Sequence, residues 1–472
     1  MTRKYEMTIG GRSVSADSYI DVRNPANTDE VVGQAPQASD VHLDQAVAAA
    51  REAFNSWRHA SDDDRVAACQ AIAKVTTENA EELAMLLTKE QGKPLNGLGS
   101  RFEMGGCAGW AGYTSSLSLP DKILEDSDEK KVIQMRVPLG VVGSITPWNW
   151  PALIAIWHIV PAIRTGNTVV IKPSPYTPLS TLRMVELINE VLPAGVLNVV
   201  SGGNDLGASL TAHSGIDKII FTGSIATGKK VMASAANRVT PVTLELGGND
   251  PGIMLPGTDP AKYVEGLFFG SMINSGQTCG ALKRLYVHED DVENVAQALA
   301  EFSKNIPVGD GTDENSMLGP LQNEMQYKKV IELVDDARAN GGKVIVGGEA
   351  MDGPNYFYPV TIVTNVSDGI RLVDEEQFGP VLPIVAYSDL DDAIARANGT
   401  QFGLDASVWG DDREETARVS AQLEAGTVYE NKHAEIAPNI PFGGIKCSGF
   451  GVEFGEEGLA AYTSIKVINR AA

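Results

Sequence analysis

The sequence predicts an α/β fold made of two parallel-sheet domains, with a small extra β-segment that belongs to neither. Three observations predict it. Short apolar runs alternate with helical stretches between residues 137 and 235. The same alternation resumes after Gly247. Two further runs, within 124–138 and 462–470, mix polar and apolar positions and stand outside both alternations.

Residues 40–95 read as helix, with Ala-rich segments at 43–57 and 65–87 whose apolar positions recur at helical spacing. Apolar runs at 140–145, 168–171, 196–200 and 218–221 have the length of buried strands, and helical stretches at 152–164, 178–191 and 228–237 separate them. Parallel strands need a crossover, usually a helix, so this rhythm predicts a parallel sheet covered on both faces. The second alternation has strand candidates at 252–255, 285–288, 343–347, 381–387 and 406–409, with helices such as 263–273 and 289–305 between them. The two sheets are expected to share a cleft near residue 247. The runs 131–137 and 462–468 read as partly exposed strands, which aggregate unless paired. Pairing with a second subunit is the expectation, and an internal edge hairpin is the alternative.

The chain has 472 residues, enough for two to four domains at ~100–200 residues each. Its net charge of −23 repels phosphate backbones, which argues against nucleic-acid binding but not against a phosphorylated cofactor held by a few local donors. The four cysteines, Cys69, Cys107, Cys279 and Cys447, show no paired spacing, so no disulfide framework is expected. Neither they nor the six histidines form a metal-ligand pattern, and no metal is expected. No apolar signal segment follows Met1, and no apolar run approaches the ~18 residues of a membrane span. The expected compartment is the cytoplasm.

Five runs carry chemistry. Cys279 lies in the polar, Gly-flanked run Asn274-Ser275-Gly276-Gln277-Thr278-Cys279-Gly280, and Glu245 opens Glu245-Leu246-Gly247-Gly248. A reachable thiol plus a separate carboxylate base is the minimum set for covalent catalysis at a carbonyl carbon. Phe221-Thr222-Gly223-Ser224 ends a strand and opens a helix, where backbone N–H groups can meet a phosphate. Its continuation through Gly228-Lys229 mimics a P-loop, but Lys230 lacks the hydroxyl that would hold magnesium, which demotes a nucleotide-hydrolase reading. Lys172 ends another strand, where a side chain can reach the nucleotide crevice of an α/β sheet. Thr146-Pro147-Trp148-Asn149-Trp150-Pro151 places an amide that can donate to an oxyanion. Each run alone also has a plain structural reading: a turn, a solvated lysine, an ordinary thiol.

In this order, and together with Glu376-Gln377-Phe378-Gly379-Pro380 and Pro441-Phe442-Gly443-Gly444, the runs resemble the aldehyde dehydrogenase superfamily, of the NAD(P)-dependent, non-CoA-acylating kind, over essentially the whole chain. The resemblance implies an aldehyde dehydrogenase-like fold. Its Rossmann-type cofactor domain would be 1–123 and 139–246, its catalytic domain 247–445, and its bridging segment 124–138 with 446–472. It implies that Cys279 attacks the aldehyde and that Asn149 and the Cys279 N–H hold the oxyanion. Hydride then passes to the nicotinamide, and Glu245 activates the water that hydrolyses the thioester. It places Thr146, Trp148, Lys172, Ser174, Gly223, Ser224, Glu376 and Phe378 around the cofactor. It places Trp150, Trp157, Thr278, Gly280, His433, Ile436 and Phe442 along the aldehyde tunnel. A homodimer or homotetramer also follows from it.

The departures bear on specificity. Pro175 stands where NAD-preferring members often carry a ribose-binding Glu, so NAD is expected on family grounds while NADP stays open. His158 replaces a frequent Lys, and with Glu453 it could relay protons from Glu245. Asn249, Val452 and Ser464 also differ from frequent family residues. Members that take succinate semialdehyde place an Arg at the position of Trp157. An indole cannot pair with a distal carboxylate, so apolar or aromatic aldehydes are expected over semialdehydes. The rival readings are a semialdehyde dehydrogenase, a catalytically silent NAD-binding protein on this fold, and a hydrolase of activated esters using the same thiol.

Overall fold

Five apolar strands, Val141–Ile145, Thr168–Lys172, Leu197–Val199, Lys218–Thr222 and Val242–Glu245, run parallel at the centre of an eight-stranded sheet. The computed structural model describes residues 2–471. Val141–Ile145 sits in the middle, with Thr168–Lys172 on one side and Lys218–Thr222 on the other. Chain order reverses direction there, and such a switch point opens a crevice at the carboxyl ends of the strands. Thr146, Gly223 and Leu246 all follow those ends directly. Antiparallel edges close the sheet: Met7–Ile9 and Arg12–Val14 at one end, Gly449–Phe450 at the other.

The chain leaves the first sheet at Glu245 and enters a seven-stranded sheet at Asp250. Its order is Lys343–Val346, Thr361–Val366, Val381–Tyr387, Leu282–His288, Asp250–Met254, Asp405–Trp409 and Thr427–Glu430, parallel except for the first pair. The carboxyl ends of the first sheet therefore meet the amino ends of the second across the segment 246–249. A helix buried at every residue but Pro161, Pro151–Arg164, lies beside this junction, and it is apolar nearly all round, as an internal helix must be. Pro at its first position suits a helix start, where no N–H partner is needed.

Both partly exposed runs are strands. Lys122–Asp126, Lys130–Pro138 and Thr463–Ala471 form a separate three-stranded antiparallel sheet. Residues 446–471 divide between two sheets: Gly449–Phe450 pairs with Val242–Glu245, Ser448 also holds Leu246 N–H and Gly247 O, and the last strand joins the small sheet. The helical segment 65–87 is two helices, Asp62–Glu78 and Ala80–Gln91, with Asn79 closing one and starting the other. Thr361–Val366 and Thr427–Glu430 are strands that the sequence reading lacked, as is the Tyr19–Asn24/Asn27–Pro36 hairpin. Among the described residues no helix is long and apolar enough to cross a membrane.

Candidate active site

The loop that presents Cys279 is held in an unusual backbone shape. Asn274, Ser275 and Gly276 have consecutive positive φ values of 51, 55 and 72°. Side chains hold the two non-glycine residues there: Ser275 Oγ donates to Gly319 O at 2.8 Å, and Asn274 Nδ2 donates to Asn149 O at 2.9 Å. Gly276 permits its own approach, since a Cβ would lie 2.1 Å from Gly379 O. The Trp148–Trp150 segment is stitched to the same loop. Asn149 Nδ2 donates to Gln277 O at 3.0 Å, and Trp150 Nε1 donates to Thr278 Oγ1 at 3.0 Å. The thiol is half-buried and borders a cavity. Burial pushes it up to about 12, Lys283 pulls it down, and Asp405, Glu376 and Asp250 push it further up.

Glu245 ends the strand Val242–Glu245 and is buried, with neither carboxylate oxygen hydrogen-bonded. Burial, then the charges of Glu453 and Asp405, raise it well above the usual carboxylate range. His158 lies behind it, fully buried. One ring nitrogen is 2.8 Å from Ser144 Oγ; the other is 3.1 Å from Thr222 Oγ1 and 3.3 Å from Glu453 Oε1. Glu453 is therefore next to both His158 and Glu245 electrostatically, and its backbone pairs with that of Phe442.

A cavity of about 530 Å³ opens on Cys279. All seven residues expected along the aldehyde tunnel, Trp150, Trp157, Thr278, Gly280, His433, Ile436 and Phe442, line it. Its walls are aromatic: Trp157 packs on Trp110 at 5.6 Å and on Phe454 at 4.7 Å between ring centroids, and Phe102 meets Trp150 edge-on at 6.3 Å. Burial, then Lys283, pushes His433 down to about 3, so its ring is neutral. Sequence reading missed Phe102, Trp110, Phe269 and Asp405 in this lining. Phe102 and Trp110 lie on the helix Ser100–Ser116, whose aromatic pair was the available signal. Asp405 carried none beyond being a polar residue opening an apolar strand.

On the other side of the loop lie the residues expected around the cofactor. Thr146 Oγ1 is buried without a partner. Lys172 is buried with one acceptor, Pro173 O at 3.2 Å, and burial alone lowers it to about 8. Ser174 caps Tyr176 N. Gly223 N–H bonds Glu245 O, and Ser224 caps the helix Ile225–Ala236, using its hydroxyl on Thr227. Glu376 accepts from Gly248 N and pairs with Lys283, both at 3.2 Å. Trp148 and Phe378 meet edge-on at 5.3 Å. An orphaned hydroxyl, an under-partnered lysine and a helix N-terminus at one switch point are the donors that a phosphorylated dinucleotide needs, so these residues fit such a group. Among the described residues, no group of three or more His, Cys, Asp or Glu is arranged to hold a metal.

This geometry can be compared with known proteins. The chain matches the aldehyde dehydrogenase family over residues 13–468. It is 39% identical over 467 residues to a chloroplastic betaine aldehyde dehydrogenase of Beta vulgaris, covering 95% of this chain and 92% of that one. Its structure superposes on an NAD+ complex of an aldehyde dehydrogenase from Bacillus cereus with a TM-score of 0.96 at 34% identity, covering 99% of this chain and 97% of that one. It superposes on an NAD+ complex of betaine aldehyde dehydrogenase from Staphylococcus aureus with a TM-score of 0.95 at 34% identity, covering 99% and 94%. Fold and matches together define an α/β oxidoreductase acting on the aldehyde group. The chain belongs to the aldehyde dehydrogenase family.

Proposed function

We propose that this enzyme oxidises an aldehyde to the carboxylic acid through a covalent adduct on Cys279, with NAD as cofactor. The observation that carries the reading is a thiol at the wall of a largely aromatic cavity, with a buried carboxylate, Glu245, that feels the charge of the cavity residue Asp405, and with under-partnered donors at the switch point of the first sheet. Cys279 Sγ attacks the carbonyl carbon, and the oxygen takes the charge. The Asn149 amide and the Cys279 N–H stabilise that oxyanion. NAD supplies the hydride acceptor that turns the adduct into a thioester. Glu376 would hold its nicotinamide ribose, with Phe378 and Trp148 beside the ring, while Lys172, Ser174, Thr146, Gly223 and Ser224 would take the adenosine ribose and pyrophosphate. Glu245 then removes a proton from water as it attacks the thioester, releasing the acid and restoring the thiolate for the next attack. His158 and Glu453 would pass that proton outward; a His158→Ala enzyme with an unchanged pH–rate profile would sink this relay. No carboxylate acts on Lys172, so NADP should also turn over.

The sheet ending at Glu245 forms the cofactor domain in this reading, and the sheet from Asp250 onward forms the catalytic domain. Homodimers or homotetramers would assemble through the three-stranded sheet. The compartment would be the cytoplasm.

The substrate in this reading is an apolar or aromatic aldehyde. Indole and phenyl rings dominate the cavity walls, no arginine lines them, and the one lysine in the lining, Lys432, is already paired with Glu435 at 3.0 Å. The name of the Beta vulgaris relative favours a second reading, a cationic aldehyde held against aromatic faces. The geometry weighs against it at Trp150, because the Lys93 ammonium already sits 3.5 Å from that ring's centroid. The test is kcat/KM for hexanal, benzaldehyde, betaine aldehyde and succinate semialdehyde, each with NAD and NADP, for wild type and Cys279→Ala. Hexanal or benzaldehyde should lead, and Cys279→Ala should be inactive. A lead for betaine aldehyde would select the cationic reading. A lead for succinate semialdehyde would overturn both, and turnover by Cys279→Ala would end the covalent mechanism.

A further inference from the structure

Lys283 has no role in the scheme above, yet it sits at its centre. It lies on the strand Leu282–His288 with a buried side chain. Its ammonium donates to the backbone carbonyl of Cys279 and pairs with Glu376 Oε1 at 3.2 Å. Its own carbonyl accepts from Gln377 Nε2 at 2.8 Å, which ties it again to the Glu376 loop. Two more carboxylates stand beside it, Asp250 and Asp405, each the first residue of its strand and each buried. Asp405 N–H donates to Asp250 Oδ1 at 3.2 Å, while Asp250 Oδ2 and both Asp405 oxygens have no partner. Asp405 borders the cavity with Cys279, and it presses on Gly280, where a Cβ would lie 2.3 Å from Asp405 Oδ2.

The other titratable and charged groups packed here are Arg284 beside Asp250, Tyr429 from the strand Thr427–Glu430, His433 from the following loop, and Glu245 from the first sheet. Arg284 is occupied by Asn249 O, Tyr286 Oη and Ala397 O. The neutral His433 offers no charge. Lys432 borders the same cavity but pairs with Glu435 at 3.0 Å, so Lys283 is the cation that acts on the thiol, and its charge is divided. Glu376, which reaches towards the cofactor side and is partly exposed, takes one share; the Cys279 loop takes the other.

We propose that Lys283 is a positioning residue that couples the cofactor side of the cleft to the nucleophile. With Glu376 free, the carboxylate neutralises the ammonium. With ribose hydroxyls engaging Glu376, the ammonium is left to support the Cys279 thiolate. This rests on the reading of Glu376 as the ribose partner. A half-buried thiol beside carboxylates needs such help, because only the thiolate is nucleophilic and a nearby cation favours it. The charges point the same way: Lys283 favours the thiolate, and Glu376, Asp405 and Asp250 oppose it.

The experiment is iodoacetamide alkylation of the full-length enzyme across pH, read by mass spectrometry on the Cys279 peptide, with and without NAD. NAD binding is measured separately by calorimetry. NAD should speed alkylation of the wild type about tenfold, the effect of about one pKa unit. Lys283→Met should still bind NAD but lose that acceleration, with its pH midpoint raised by about one unit. Lys283→Arg, which keeps the charge, should recover most of it, and Asp405→Asn should move the midpoint down. A Lys283→Met enzyme that responds to NAD as the wild type does would overturn the proposal. If Lys283→Met does not fold, NAD that binds the wild type without speeding its alkylation overturns it instead. If wild type fails to bind NAD, the ribose reading falls first and the coupling with it.

Discussion

At Glu245, burial and neighbouring charge act in the same direction. A general base works only when ionised, so a carboxyl held well above its usual range makes thioester hydrolysis slow in acid and faster as pH rises through the shifted value. Glu453 is the largest charged contributor after burial. Glu453→Gln should therefore let Glu245 ionise earlier, moving the ascending limb of the kcat–pH profile to lower pH. An unmoved limb would show that the Glu453 charge does not reach Glu245. Glu245→Gln should let the acyl-enzyme accumulate, seen as a burst of reduced cofactor followed by turnover slower by about 10²–10⁴-fold. The residues of this site were legible where short motifs marked them, as GQTC and ELGG marked Cys279 and Glu245. Lys283 and Asp405 were not legible. Their importance comes from a charge cluster assembled by strands that are distant in sequence, and no local pattern announces it.

The helix Pro151–Arg164 shows the same limit one scale up. Its sequence fixes its start, with Pro at the first position after the Trp148–Trp150 run. What holds that start in place comes from far upstream. Glu103 Oε1 accepts the N–H groups of Ala152 and Leu153 at 2.9 and 3.1 Å, and its other oxygen pairs with Lys93 at 2.5 Å. Lys93 also donates to Asn149 O at 2.8 Å, so this fully buried pair positions the amide proposed to hold the oxyanion. Breaking a buried pair from one side leaves an unpaired charge, at about 3–5 kcal/mol, whereas removing both charges is often near neutral. Glu103→Gln should therefore lose about that much stability, and Glu103→Gln with Lys93→Met should lose less than Glu103→Gln alone. Urea unfolding of the four proteins of this cycle decides it. A double variant less stable than the single would mean that the pair contributes more than it removes. The parallel strands around this helix were legible because strands buried on both faces read as continuous apolar runs. Thr361–Val366 was obscured by Asn365, whose φ of 56° breaks the register, and Thr427–Glu430 by its brevity after Gly426.

For the whole molecule, charge distribution sets how copies should meet. The net charge is −23, so two copies repel on average. The three-stranded sheet is the local exception. Its strands carry six basic and two acidic side chains. Lys130 and Lys131 pair with Glu125 and Asp126, but Lys122, Arg136, Lys466 and Arg470 have no ion-pair partner among the described residues. Ile123, Ile465 and Val467 stand exposed among them, each more than half accessible. A basic, partly apolar sheet on an acidic molecule suits the acidic surface of a second copy better than it suits another basic sheet. Both terms then favour association: apolar burial, which salt leaves intact, and charge attraction, which salt screens beyond a Debye length of about 10 Å at 0.1 M. Sedimentation velocity should show an oligomer that weakens between low salt and about 0.5 M. An Ile465→Glu/Val467→Glu variant should be largely monomeric at low salt while keeping its thermal midpoint, since these side chains contribute nothing to the monomer core. An oligomer that strengthens with salt would mean that like-charged sheets face each other. A variant that still associates would place the interface elsewhere on the molecule.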